Sequence, residues 1–174
     1  MVVGQPGAGK STFAREIGAI AHLPVHHEDG LLWLPGWIER PADEREALVA
    51  EACAGEAWVF DGGRSSACLA RADTLVWLDV ALPVRAWRLA RRTLRHRGRS
   101  RPELPEGCPD RFRAEFLAYV WRQRREARER LRAFYEGAPP GTAKVRLVGA
   151  RAARRHLAAL RHAARGGNLG ISHR

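Results

Sequence analysis

The sequence predicts an α/β protein in which a five-stranded parallel sheet lies between layers of helices. Three observations support this class. Short apolar segments alternate with longer segments of helical periodicity, as in parallel sheets that are covered on both faces. A glycine-rich loop joins the first apolar segment to the first helical one. The length of 174 residues suits one domain with a sizeable core.

The predicted strands are short runs of apolar and β-branched residues bounded by turn signals. They cover residues 2–3, 24–27, 57–60, 74–80 and 143–148. A buried strand normally has about five residues, yet only Met1, Val2 and Val3 precede the loop that starts at Gly4. We therefore expect either a shortened first strand or a natural start upstream of Met1.

The predicted helices occupy the intervals between these strands. They cover residues 12–22, 44–54, 83–95, 109–135 and 150–164. Phe13, Ile17 and Ile20 keep helical spacing in the first of them. We expect residues 1–164 to form one domain, followed by a glycine-rich, polar and flexible tail at 165–174.

The loop at residues 4–12 fits the pattern G-x-x-x-x-G-K-[ST], which wraps backbone amides around nucleotide phosphates. Its glycines permit positive φ angles and close approach to an anion at a helix N-terminus. Lys10 would reach the β and γ phosphates, and the Ser11 hydroxyl would ligate Mg²⁺. The pattern therefore predicts a site for ATP, with GTP left open, formed by Gly4, Gly7, Ala8, Gly9, Lys10, Ser11 and Thr12.

Acidic residues that follow predicted strands are candidates for the metal site, because open α/β sheets place ligands at the carboxyl ends of their strands. Asp61 follows the strand at 57–60, and we expect it to arrange Mg²⁺ together with Ser11. The alternative is that Asp61 only caps an Asp-Gly turn. Asp79 is expected to be a structural cap, because Pro83 starts a helix just beyond it.

The predicted acceptor side contains Asp29, which follows the second strand, and Gly62, which lets a substrate approach the backbone. The adjacent His26 and His27 would point to opposite faces of a strand, which disfavours joint metal ligation. Trp33 lies just beyond Asp29 and could wall a substrate pocket or cover the sheet edge. These positions predict a substrate site beside the phosphate loop.

Arginines at helical spacing form the main basic feature of the chain. Arg85, Arg88, Arg92 and Arg95 repeat along one helix face, and Arg97, Arg99 and Arg101 continue the charge into a loop with glycine and proline. Such a segment suits phosphoryl transfer, since a closing lid neutralises charge and expels water. We expect a lid around residues 95–108, with catalytic charges from Arg88, Arg92, Arg97 and Arg99. The alternative, a solvated basic face, applies most to Arg85.

The formal net charge of +11 invites a nucleic-acid interpretation, because clustered arginines neutralise phosphates and release counterions. Nearly all of this charge is arginine, however, a skew that coding bias explains equally well. Glu126 and Glu129 also interleave with the arginines of residues 122–132, as on a solvated helix face. DNA binding is therefore kept as an alternative and is not favoured.

The cysteines and the hydropathy indicate a protein of the cytoplasm. Cys53, Cys68 and Cys108 are odd in number, widely spaced and without a CxxC pattern. We therefore expect reduced thiols and neither a disulfide framework nor a zinc site. The sequence has no run of 18 apolar residues and no basic-then-apolar leader, so we expect no membrane association.

Several strings carry a resemblance to a known family. They are GQPGAGKST at 4–12, VHHED at 25–29, LPGW at 34–37, WVFDG at 58–62, RGRSRP at 97–102 and EGCP at 106–109. In this combination the chain resembles the bacterial family of DNA topology modulation proteins, which is similar to adenylate kinases and other small P-loop kinases. The resemblance runs from residue 1 to about residue 160. It implies a lid around the arginine-rich loop and an acceptor site near Asp29, Asp61 and Arg64, although Gly63-Arg64 stands where the family has Asn-Tyr.

Together these features predict the three-layer P-loop NTPase fold of the nucleoside monophosphate kinase type. We expect an ATP-dependent, Mg²⁺-requiring phosphotransferase that moves the γ-phosphate to a small phosphorylated or hydroxylated acceptor. Two alternatives stay open. A DNA-associated ATPase would show ATPase activity stimulated by DNA, and a nucleotide-sensing regulator would bind nucleotide without turnover.

Overall fold

The computed structural model describes residues 1–95, 103–109, 118 and 120–166 of the chain. These ranges contain the strands β1 (Val2–Gly4), β2 (Val25–His27), β3 (Trp33–Leu34), β4 (Ile38–Glu39), β5 (Val59–Asp61), β6 (Thr74–Asp79) and β7 (Ala143–Val148). Five of them form one all-parallel sheet in the order β2-β5-β1-β6-β7, while β3 and β4 form an antiparallel hairpin. The predicted α/β class with a five-stranded parallel sheet is confirmed.

The helices of the described ranges are α1 (Lys10–Ala21), α2 (Glu28–Leu32), α3 (Ala42–Ala52), α4 (Ser66–Arg71), α5 (Leu82–Arg95), α6 (Arg124–Glu136) and α7 (Gly149–Arg165). All except α2 and α4 correspond to predicted helices. None of these seven helices has the length and apolar character needed to cross a bilayer. Residues 167–174 of the predicted tail lie outside the described residues.

The structure adds elements that the sequence analysis did not predict. α2 and the β3–β4 hairpin follow β2, and α4 follows β5. α4 has only six residues. Its start is fixed by Ser65, whose hydroxyl accepts a hydrogen bond from the Cys68 amide at 3.2 Å. The serine three residues before Cys68 was the available sequence signal for this helix.

The predicted helix at 109–135 is wrong at its start and in its continuity. Pro109 forms a β-bridge, because its segment lies against the β3–β4 hairpin, where its carbonyl accepts the Trp37 indole N–H at 3.1 Å. Residues 110–117 lie outside the described residues. A turn at Gln123 then separates residues 120–122, which are helical, from α6.

The core lies on both faces of the sheet, because successive strand residues point to opposite sides. Val3 of β1 packs in a cluster that includes side chains from α3, α4 and α6. Its neighbour Val2 packs in a second cluster with side chains from α1 and α7. Both valines are at most 1% exposed. Helices therefore cover the sheet on both faces, as predicted.

Asp79, at the end of β6, is buried and connects α6 to β7. Its carboxylate accepts hydrogen bonds from Arg128 at 2.9 Å and from Arg146 at 3.1 Å. Burial alone would raise the pKa of Asp79, but the two guanidinium groups outweigh that effect and lower it. The structure thus gives Asp79 a structural role through ion pairs, where the sequence analysis predicted a helix cap.

Cys53 and Cys68 form a disulfide bond, so the expectation of reduced thiols is wrong for this pair. Cys53 ends α3 and Cys68 lies in α4, with their Cα atoms 5.4 Å apart. They are 15 residues apart in sequence, and the packing of α3 on α4 brings them together, so no local motif reveals the pair. Cys108 keeps its thiol, which donates to the Leu34 carbonyl at 3.2 Å.

Reduction of this disulfide is expected to lower the free energy of unfolding by about 3 kcal/mol, because the cross-link closes a loop of about 15 residues and restricts the unfolded chain. Urea unfolding with and without a thiol reductant measures the difference. The variant that carries both Cys53→Ala and Cys68→Ala is the control, and the reductant should leave its midpoint unchanged. Equal midpoints for oxidised and reduced wild type would contradict the prediction.

Candidate phosphate-binding site

The loop between β1 and α1 has the backbone that its sequence pattern predicts. Gly7 and Gly9 have φ angles of 79° and 97°, which L side chains rarely adopt. Gly9 is the N-cap of α1, and Lys10 is its first residue. Free amides at the N-terminus of a helix attract anions, since the helix dipole places partial positive charge there. The loop is therefore suited to bind phosphate.

Two arginines of α5 donate hydrogen bonds to carbonyl oxygens of this loop. Arg85 donates to Pro6 O of the loop at 3.1 Å and also to Val80 O, just after β6, at 3.0 Å. Arg88 donates to Ala8 O at 2.8 Å. Each bond fixes a carbonyl and with it the amide on the same peptide plane. The loop is thereby ordered by α5.

Arg85 corrects the interpretation of the basic helix. Its residue surface is only 2% exposed, so the solvated-face alternative is wrong for this position. The backbone of Arg85 also packs on the loop, because a Cβ atom at Gly7 would lie 2.6 Å from the Arg85 carbonyl oxygen. Glycine is therefore required at residue 7 both by its φ angle and by this contact.

Asp61 ends β5, next to β1 in the sheet, and is 5% exposed. Its Oδ2 atom lies 2.8 Å from His27 Nδ1. Burial would raise the pKa of Asp61, but the hydrogen bond with His27, the charge of Lys10 and the Ser11 hydroxyl together lower it. Asp61 is therefore ionised and faces the phosphate loop. The sequence analysis disfavoured joint metal ligation by His26 and His27. Of these two histidines, His27 is the one that contacts Asp61.

The second carboxylate oxygen of Asp61 suits a divalent cation. Asp61 Oδ1 is buried and has no hydrogen-bond partner among the described residues. A buried anionic oxygen without a partner is costly unless a ligand satisfies it. Mg²⁺ takes one or two protein oxygens and completes its shell with water and phosphate. Among the described residues, no group of three or more histidine, cysteine or acidic side chains has a geometry that could hold a metal ion. Asp61 and Ser11 are the protein oxygens that could hold Mg²⁺ beside the phosphate loop.

Glu28, the first residue of α2, is the residue of this site that the sequence analysis missed. Its carboxylate accepts a hydrogen bond from the Gly63 amide. Burial is the largest influence on the pKa of Glu28 and raises it. The charge of Asp29 also raises this pKa, while the hydrogen bond from the Gly63 amide and the charge of Lys10 offset part of the increase. The available signal was its place after β2, one residue before the acidic residue that the sequence analysis selected.

The glycines after Asp61 accommodate Glu28. A Cβ atom at Gly62 would lie 2.7 Å from the Glu28 Cβ atom, and one at Gly63 would lie 2.9 Å from Glu28 Oε2. Gly62 was predicted to let a substrate approach the backbone, and the structure places Glu28 in that space. The predicted acceptor residues Asp29 and Arg64 are exposed.

The hairpin on the acceptor side packs against residues 103–109, which include the end of the lid predicted at 95–108. Trp33 and Trp37 form an edge-to-face pair with ring centroids 5.4 Å apart. The Gly36 amide donates to the Gly107 carbonyl at 3.0 Å. Trp33 thus lies in a folded hairpin that the end of the lid segment contacts.

Of the four arginines predicted to supply catalytic charge, two lie on α5 and two lie outside the described residues. Arg88 and Arg92 lie on α5, and Arg88 already contacts the phosphate loop. Arg97 and Arg99 lie outside the described residues. Their catalytic role stays a prediction.

The chain matches no protein-family model and no curated protein. What the structure defines is a class: an α/β protein whose sheet order is consistent with a P-loop NTPase-like topology. The loop after β1 lies at the carboxyl edge of that parallel sheet, where α/β proteins bind their ligands.

Proposed function

We propose that this protein is an ATP-dependent, Mg²⁺-requiring phosphotransferase that moves the γ-phosphate of ATP to a small acceptor. The loop between β1 and α1 carries the proposal: it combines positive φ angles at Gly7 and Gly9 with Lys10 as the first residue of α1. The unsatisfied oxygen of Asp61 supports a metal beside it. The resemblance to small P-loop kinases supports the nucleoside monophosphate kinase type and is the basis for preferring ATP to GTP.

Each residue of the site has a role in this proposal. The loop amides and Lys10 hold the phosphates, and Arg88, Arg92, Arg97 and Arg99 add positive charge from α5 and the predicted lid. Ser11 and Asp61 would hold Mg²⁺, which when bound neutralises charge on the phosphate oxygens. His27 keeps one Asp61 oxygen engaged, which leaves the other for the metal.

Release of ADP tests the proposal directly. ATP and Mg²⁺ are supplied with a panel of nucleoside monophosphates, nucleosides and small alcohols, and we expect ADP production that depends on an acceptor. ATPase activity that duplex DNA stimulates and salt steeply weakens would instead support the DNA-associated ATPase. Tight ATP binding with no ADP release under any condition would indicate a nucleotide sensor.

The variant Asp61→Asn is expected to raise the Mg²⁺ concentration for half-maximal rate by about tenfold or more, because an amide keeps the shape of the side chain but loses the charge that attracts the cation. A Mg²⁺ titration of initial rates measures this. Asp43→Asn, an exposed position in the first turn of α3, is the matched control. A titration curve identical to that of wild type would show that Asp61 is only a turn residue.

A further inference from the structure

Glu28 is a carboxylate at the candidate site that the roles assigned above do not use. It follows β2 at the sheet edge where Asp61 follows the neighbouring β5. Its carboxylate accepts a hydrogen bond from the Gly63 amide, two residues after Asp61, and a Cβ atom at Gly62 would lie 2.7 Å from the Glu28 Cβ atom. Glu28 therefore lies beside the candidate metal site at Asp61.

A base at this position indicates which group of the acceptor reacts. A hydroxyl keeps its proton at neutral pH, so its attack on phosphorus is assisted by a carboxylate that takes that proton. A phosphate oxygen is already ionised at neutral pH and requires no base.

We propose that Glu28 is the general base for an acceptor whose reacting group is a hydroxyl, such as a sugar, a nucleoside or a small alcohol. This inference rests on the phosphotransfer proposed above. The Glu28 carboxylate takes the hydroxyl proton, and the acceptor oxygen forms a bond to the γ-phosphorus. The bond from that phosphorus to the bridging oxygen breaks, and its electron pair leaves with ADP. The products are the phosphorylated acceptor, ADP and a protonated Glu28 that returns its proton to water.

A purely structural role for Glu28 makes a different prediction. Its carboxylate holds the loop after β5 through the Gly63 amide. In the variant Glu28→Gln, the side-chain carbonyl still accepts this bond, so the loop keeps its support. An amide does not take a proton at neutral pH, so only the general-base function is removed. Wild-type rates in Glu28→Gln would therefore mean that the residue is structural.

The first arm of the experiment compares acceptors in pairs that differ only in phosphate, for example nucleosides with their monophosphates. ADP release and calorimetric binding to the complex with ADP and Mg²⁺ are both measured. We expect binding and ADP release with the phosphate-free members, whose reacting group is a hydroxyl. Stimulation by the phosphorylated members alone overturns the inference and leaves the kinase proposal standing.

The second arm compares wild type with Glu28→Gln, and Glu46→Gln at an exposed position of α3 serves as control. We expect kcat to fall about 10²- to 10⁴-fold in Glu28→Gln, the usual contribution of a general base. Calorimetric affinity for ADP and for the acceptor should change less than about threefold, since no binding contact to phosphate is lost. Basal ATP hydrolysis, with water as the hydroxyl acceptor, should fall as well, and this readout needs no identified acceptor.

The pH profile provides a separate readout. In wild type the rate should rise with pH through the pKa of Glu28, because the base acts in its ionised form. Burial and the charge of Asp29 raise this pKa, while the Gly63 amide, Lys10 and Arg45 lower it by less. Glu28→Gln should lose this limb. Equal basal hydrolysis and equal profiles in the two proteins overturn the inference. Failure to bind ATP at all, by contrast, overturns the phosphotransferase proposal itself.

Discussion

Replacement of Lys10 by alanine is expected to lower the turnover of ATP by about 10²- to 10³-fold, the loss that follows removal of one preorganised donor to transition-state charge. Affinity for ATP should fall much less, because the amides of the loop and the N-terminus of α1 remain. Lys10 is the first residue of α1, directly after the loop that would hold the phosphates. Measurement of kcat and of the ATP dissociation constant separates the two effects.

The chain offers a matched control, since Lys144 is its only other lysine. Lys144 lies on β7, is exposed, and donates to the Glu136 carbonyl at 3.3 Å. Lys144→Ala should keep wild-type turnover. A folded Lys10→Ala protein with unchanged turnover would remove the assignment of the phosphate loop, whatever its acceptor.

Local sequence predicted the parts of the site that depend on local backbone. The pattern at residues 4–12 specifies its own turn, because glycine alone tolerates the φ angles of Gly7 and Gly9 at no cost. The sheet followed from the alternation of apolar strands with helices. Asp61 could be selected because a parallel sheet brings the ends of its strands to one edge.

The missed features depend on contacts between residues far apart in sequence. The Arg85 guanidinium binds Pro6 O across 79 residues, and Glu28 meets the Gly63 amide across 35. Helical spacing placed Arg85 on a basic face but could not show that the phosphate loop covers it. Cys53 and Cys68 likewise meet only once α3 packs on α4. Pairings of this kind have no periodicity or motif in the sequence.

The variant Arg85→Ala is expected to lower the free energy of unfolding by about 1 to 3 kcal/mol. The guanidinium satisfies the buried Val80 O, and a buried carbonyl left without a donor costs about that much, whereas water can reach Pro6 O at the exposed Pro6. ATP affinity should fall about tenfold, because the loop also loses a contact worth about 1.4 kcal/mol that keeps it ordered before the nucleotide binds. Urea unfolding gives the first quantity, and calorimetry on the folded variant gives the second.

Arg91→Ala provides the control from the same helix, since Arg91 is exposed and its guanidinium lies 5.3 Å from the centre of the Trp87 ring without reaching the loop. It should cost less than about 1 kcal/mol and leave ATP affinity unchanged. Arg85→Lys should behave like Arg85→Ala in ATP binding, because one ammonium does not reproduce the planar fork that spans two carbonyls. Wild-type stability and affinity in Arg85→Ala would show that the loop holds its shape without Arg85. The glycines and the bond from Arg88 to Ala8 O would then be enough to fix the phosphate site.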